Sequence, residues 1–223
     1  MKVVVFDLDD TLYDELTYVR SGFRAVANSL AVRYGADANE LSELMWNTMI
    51  SKGRGKVFDV ALASIQQLTK ENVKYCVIVY RKHEPEKLEL FEDAQIMLGR
   101  LEAHQVPRYI VTDGNKLVQY RKIKALQLEE RVNKYFITHR FGLKHSKPSP
   151  YCFNKIAQLE GVEPSDIVYV GDNIAKDFVG IKELGFQTVR ILRGSYISLE
   201  RSEEYHAHHD IHSLLELSKI YSL

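Results

Sequence analysis

Val3-Val4-Val5-Phe6-Asp7-Leu8-Asp9-Asp10-Thr11-Leu12 is a short run of β-branched and aromatic residues that stops at three aspartates and a threonine. Because the run is apolar throughout, with no alternation, it predicts a strand buried on both faces, as in parallel sheets. Such a strand delivers carboxylates to its own C-terminal end. In open α/β sheets, ligands bind outside that end.

Moving outward, the same rhythm returns. Tyr109-Ile110-Val111-Thr112 leads into Asp113-Gly114-Asn115, and Tyr135-Phe136-Ile137-Thr138 precedes a loop from Lys144 to Pro150. Ile167-Val168-Tyr169-Val170 ends at Gly171-Asp172-Asn173, and Thr188-Val189-Arg190-Ile191 makes a fifth strand. Helical patterns fall between them, over about Glu92–His104, Leu117–Leu126, Pro150–Leu159 and Ile174–Leu184, with a last one over about Ile211–Ile220. Strands alternating with helices of this length predict an α/β fold with a parallel, doubly wound sheet.

The interval after the first strand is different. Val19, Phe23, Val26, Ala27 and Leu30 share one helix face. Further helices carry Leu41, Leu44, Met45 and Thr48, then Val57, Ala61, Ile65 and Leu68. A fourth runs around Val73–Tyr80, where the run Tyr75–Tyr80 has strand propensity but helical surroundings. The chain therefore divides into an α/β core (residues 1–13 and 91–223) and a helical insertion (residues 14–90).

A chain of 223 residues is long enough for one sizeable core plus a smaller unit. Its 30 basic and 30 acidic residues balance, so no basic excess points to nucleic acid. Cys76 and Cys152 have no paired spacing, which argues against a disulfide framework or a thiolate metal site. The apolar run after Met1-Lys2 is too short for a signal peptide or a membrane span, so no membrane partner is expected and the reducing cytoplasm is the expected compartment.

In a parallel sheet the polar residues at the strand ends converge on one edge: Asp7 and Asp9, Thr112, Lys147, and Asp172 with Asp177. Asp7 and Asp9 point to one side by the two-residue period of a strand. Crowded carboxylates call for a cation, and oxygen-only donors suit a hard ion, Mg²⁺ above all. A cation beside a lysine and a hydroxyl makes a pocket for a phosphate dianion. One carboxylate there can attack phosphorus, and a second can move a proton.

Asp7-Leu8-Asp9-Asp10-Thr11-Leu12, Thr112, Lys147-Pro148 and Gly171-Asp172-Asn173-Ile174-Ala175-Lys176-Asp177 resemble, in order, the four motifs of the haloacid dehalogenase (HAD) superfamily. The resemblance spans almost the whole chain. It implies a core of strand order 5-4-1-2-3 with Asp7 at the centre, and it makes the helical insertion a cap domain. It implies that Asp7 is the nucleophile and Asp9 the general acid and base. Thr112 and Lys147 would hold the phosphoryl oxygens. Asp7, the backbone carbonyl of Asp9, and Asp172 would bind Mg²⁺, and Asp177 would support Lys147 or a metal-bound water. Asn173 is an outer group and Asp10 a supporting one. Gly53-Arg54-Gly55-Lys56 reads either as a solvated loop or as one that brings Arg54 to the substrate. His206, His208, His209 and His212 are irregularly spaced and read as exposed surface.

The activity implied is that of a Mg²⁺-dependent phosphatase, hydrolysing a small-molecule phosphate monoester through an aspartyl phosphate. A phosphomutase of the same fold is the alternative, although that group commonly has glycine where Asp10 stands. A dehalogenase is disfavoured by the acid at Asp9. From another class, a phospho-accepting signalling module would carry its acceptor on the third strand and lack the helical insertion. A non-catalytic binding protein of this fold would be missing a catalytic position, and none is missing.

Overall fold

The computed structural model describes residues 1–85 and 87–221. The chain forms two compact units, Met1–Glu15 with Leu88–Leu223, and Leu16–Lys87. The elements are, in order, β1 (Val3–Phe6), α1 (Glu15–Tyr34), α2 (Ala38–Lys52), α3 (Val57–Ser64), α4 (Lys70–Lys82), α5 (Glu92–Ala103), β2 (Arg108–Thr112), α6 (Lys116–Ala125), β3 (Lys134–Ile137), α7 (Tyr151–Glu160), β4 (Ile167–Gly171), α8 (Val179–Lys182), β5 (Gln187–Ile191), β6 (His209–Ile211) and α9 (Leu217–Tyr221).

In the first unit one parallel sheet has the order β3-β2-β1-β4-β5-β6. The five expected strands keep their expected order, and a sixth is added beside β5. Every residue of β1 is buried, as its unbroken apolar run requires. β1 pairs in parallel with β2 on one side and β4 on the other, so the order in which strands are added reverses across it. That reversal opens a crevice at the C-terminal end of β1. One face of the sheet packs Val3, Val5, Tyr109, Val111 and Tyr169 against Phe153, Ile156 and Phe186. Each such side chain contributes about 1.5–3 kcal/mol of burial.

Two expectations fail in this unit. The helix over Ile174–Leu184 shrinks to Val179–Lys182, because residues 173–177 form a turn. The Asn173 carbonyl accepts from the Lys176 and Asp177 N–H groups, and the Asp177 carboxylate takes the Asn173 N–H. The helix expected to begin at Ile211 is confined to Leu217–Tyr221, after a 3₁₀ turn over Leu214–Glu216. Ile211 instead closes β6, a strand of three residues of which Ile211 alone is buried. With two polar residues in three, β6 has no apolar signature. It exists because β5 offers a free edge.

The second unit is all helical, with its own core of Val19, Phe23, Leu30, Met45, Ala61 and Cys76 among others. The ambiguous run Tyr75–Tyr80 is helical, as expected, inside α4. Thr69 caps that helix by accepting the Asn72 N–H at 3.1 Å, and this local cap, with tertiary burial of Cys76, outweighs the β-propensity of Val77-Ile78-Val79. Asp37 caps α2 in the same way, accepting from Asn39 and Glu40.

Candidate active site

Asp7 is the first residue past the central strand. Its N–H donates to the Val170 carbonyl at 2.8 Å, so the ladder continues one step and holds its backbone rigid. The residue is 5% exposed. Lys147 Nζ lies 2.9 Å from Asp7 Oδ1 and 2.7 Å from Asp177 Oδ1. It also donates to the Tyr169 hydroxyl, which in turn donates to Asp177 Oδ1 at 3.1 Å. Asp177 Oδ2 takes the Asn173 N–H at 2.8 Å, so both its oxygens are engaged. Gly171 is required beside it: a Cβ there would collide with the Asp177 carboxylate. Asp7 Oδ1, by contrast, receives no aligned hydrogen bond from the described residues despite its closeness to Lys147.

The electrostatics follow from burial. Burial, with Asp177 close by, pushes the Asp7 carboxyl up to about 6 against the pull of Lys147. Burial, Asp7 and Asp177 push the Asp172 carboxyl up to about 9. Burial would lower the Lys147 ammonium, but Asp177 and Asp7 outweigh it and hold it well above the usual lysine range. Oxygens of Asp7, Asp172 and Asp177 lie within 4.8 Å of one another, the one such metal-capable group among the described residues. Three buried carboxylates, two of them raised, with one oxygen lacking a hydrogen bond, fit a hard divalent cation.

Asp9 lies in a neighbouring arrangement. Its Oδ1 accepts from the Tyr13 hydroxyl at 2.6 Å and from Lys122 Nζ at 2.7 Å, and its Oδ2 accepts from Gln119 Nε2 at 2.8 Å. Burial would raise this carboxyl, but the Lys122 charge and the hydrogen bonds from Lys122, Tyr13 and Gln119 hold it below the usual range. Gln119 also donates to the Thr112 hydroxyl at 2.6 Å, which links Thr112 to Asp9.

A further carboxylate ties the loops together. Asp113 Oδ1 accepts from the Thr138 hydroxyl and the Lys147 N–H, and Oδ2 from Lys176 Nζ at 3.1 Å. It thereby joins the chain after β2, β3 and β4. Asp10, at φ 54°, accepts from the Glu15 and Ser195 N–H groups, a supporting role.

The structure thus brings Asp7, Lys147, Asp172, Asn173 and Asp177 into one group and sets Asp9 with Thr112 beside it. Arg54 belongs to the helical unit, where it opens an exposed 3₁₀ turn over Arg54–Lys56. The four histidines form no metal-capable cluster among the described residues. The partners given no role by the sequence are Tyr13, Gln119, Lys122, Tyr169 and Lys176, and Asp113 reads there only as a supporting or turn residue. One signal was available for two of them: Gln119 and Lys122 occupy the apolar face of α6 beside Ile123. A polar pair on a core-facing stripe asks for buried partners.

The family model of the haloacid dehalogenase-like hydrolases matches residues 1–185. The chain is similar to a glyceraldehyde 3-phosphate phosphatase of Methanocaldococcus jannaschii, at 30% identity over 224 residues covering 99% of this chain and 96% of that one. It is similar to the N-acylneuraminate-9-phosphatase of Homo sapiens at 27% identity, with 97% and 92% covered. Among solved structures, an HAD phosphatase from Thermococcus onnurineus matches with a TM-score of 0.64 and 27% identity, covering 99% of this chain and 97% of that one. With its central-strand aspartates and the carboxylate–lysine group behind them, the chain belongs to the haloacid dehalogenase-like hydrolase family, as a phosphatase-like member.

Proposed function

We propose that this hydrolase is a Mg²⁺-dependent phosphatase that cleaves a small phosphate monoester through an aspartyl phosphate on Asp7. The observation that carries the reading is the placement of Asp7: at the end of the central strand, backed by Lys147 and grouped with Asp172 and Asp177. Asp7, Asp172 and the Asp9 backbone carbonyl would hold Mg²⁺. When bound, the ion supplies positive charge that lowers Asp7 to its reactive carboxylate and screens the incoming phosphate.

The chain's own groups do the rest. Asp7 attacks phosphorus, and the bond to the leaving oxygen breaks while Asp9, which takes up a proton once the negative charge of the bound ester offsets Lys122, gives that oxygen a proton. Asp9 then takes a proton from water as the water oxygen attacks phosphorus. The Asp7–phosphorus bond breaks and inorganic phosphate is released. Lys147 neutralises a phosphoryl oxygen, and Asp177, Tyr169 and Asn173 keep its ammonium aimed at Asp7. The Thr112 hydroxyl accepts from Gln119, so its own hydrogen is available to a phosphoryl oxygen. Asp113 and Lys176 fix the loops that carry these groups.

We assign choice of the leaving group to the helical unit, inserted directly after this loop, with Arg54 as its candidate contact. The names of similar proteins point to small phosphorylated metabolites as the substrate class. Two buried free thiols suit a reducing cytoplasm, and no helix among the described residues is long and apolar enough to cross a membrane.

The test is hydrolysis of p-nitrophenyl phosphate. Activity is expected with Mg²⁺ and lost on adding EDTA. Asp7→Asn and Asp9→Asn are expected to fall about 100-fold or more. Full turnover by Asp7→Asn would remove the covalent mechanism.

A further inference from the structure

We propose that Gln119 and Lys122 are positioning residues that fix the Asp9 carboxylate for proton transfer to and from the reacting oxygen. The inference rests on the role given to Asp9 above and extends it to two residues given no positioning role so far.

The two side chains lie one turn apart on α6, so they share a face. Each is only 2% exposed. Between them they reach both Asp9 oxygens, Lys122 at 2.7 Å to Oδ1 and Gln119 at 2.8 Å to Oδ2, from more than a hundred residues away in sequence. A carboxylate held at both oxygens cannot turn about its terminal bond. Gln119 uses its second N–H on Thr112 at 2.6 Å, so one amide sets the spacing between the proton-transferring group and the hydroxyl that faces the phosphoryl group. Lys122 is itself anchored by a second carboxylate, Glu15, at 3.4 Å. The backbone is shaped to admit this clamp: Gly114 has φ 135°, and a Cβ there would press on Gln119 Cδ at 3.2 Å.

A structural role alone accounts poorly for the choice of residue. A buried ion pair in a core is often matched or bettered by apolar residues of similar volume. A leucine or methionine at 122 would continue the stripe that Ile123 begins. What an apolar residue cannot do is orient a carboxylate.

The experiment compares leaving groups in Lys122→Met and Gln119→Leu, both with Mg²⁺. p-Nitrophenolate leaves without a proton, whereas an alkoxide needs one. In single turnovers at saturating substrate, release of p-nitrophenolate is expected to stay within about threefold of wild type, while release of glycerol from glycerol 3-phosphate falls about 10- to 100-fold. Asp9→Asn should show the same split in the first release, its loss of steady-state p-nitrophenyl phosphate turnover coming from the water-attack step, and Asp9→Asn/Lys122→Met should be no slower than Asp9→Asn alone, because the lysine acts through the aspartate. Equal losses on both substrates, unchanged alkyl turnover, or additive losses in the double variant would each overturn the proposal. Gln119→Leu leaves no buried charge unpaired and carries the test if Lys122→Met does not fold. The two readings fail separately: activity in Asp7→Asn removes the covalent mechanism, whereas a split in Asp9→Asn absent from both α6 variants removes only the positioning role.

Discussion

Replacing Asp177 by asparagine changes two atoms at the most connected point of the site. Asp177 is 1% exposed and acceptor-only: Oδ1 faces Lys147 Nζ and the Tyr169 hydroxyl, and Oδ2 faces the Asn173 N–H. An amide has one oxygen. If it faces Lys147, the NH₂ group opposes the Asn173 N–H. If it flips, the NH₂ group opposes the ammonium. Either way a donor meets a donor in a site without room to move, since Gly171 already leaves only the space of a hydrogen. A lost charge-assisted bond costs about 1.5–3 kcal/mol, and a buried donor left unpaired about 1–3 kcal/mol more. The sum, about 2.5–6 kcal/mol, corresponds to a fall in Tm of roughly 5–20 °C for a chain of this size. Lys147 keeps Asp7 as its remaining carboxylate partner, so the ammonium is drawn toward Asp7 and off its alignment. Turnover of an aryl phosphate should therefore fall as well. Thermal unfolding followed by circular dichroism in EDTA isolates the protein term from metal binding. A Tm within about 2 °C of wild type would refute the reasoning, because it would mean the carboxylate is not holding these donors.

Two further predictions come from outside the reacting groups. Asp93 accepts from Arg193, from the Ser213 hydroxyl and from the Leu214 N–H; burial would raise its carboxyl, but these bonds hold it below the usual range. A carboxyl depressed in the folded state contributes stability above its unfolded value and loses it as pH falls through the folded one, so Asp93→Asn should lower urea stability at pH 7 and make little difference near about pH 2. Burial pushes the Cys76 and Cys152 thiols up to about 11, so the folded chain should resist a disulfide reagent at about pH 8, and both thiols should label when urea is added. Rapid labelling of both thiols in the folded state would contradict their burial.

Much of this protein is determined locally. An unbroken apolar run such as Val3–Phe6 has few places to go other than the middle of a parallel sheet. Strand ends in such a sheet meet at one edge, so periodicity alone places Asp7, Thr112 and Asp172 at that edge, with Lys147 in the loop after the third strand. Thr69 ahead of α4 illustrates the limit of propensity, since its cap and the burial of Cys76 make a helix of a β-branched run. Tertiary structure alone decided three things. β6 is a strand only because β5 leaves an edge to pair with. The turn at residues 173–177 replaces a helix where Asp177 meets Lys147 and Tyr169 from other elements while its second oxygen takes the Asn173 N–H. The surroundings of Asp9 come from Tyr13 and from Gln119 and Lys122 of α6, the last two reaching it from over a hundred residues away. Hydrogen bonds between residues more than a hundred positions apart leave no periodic trace in a sequence; their one mark here is a glutamine and a lysine where a helix should have been apolar.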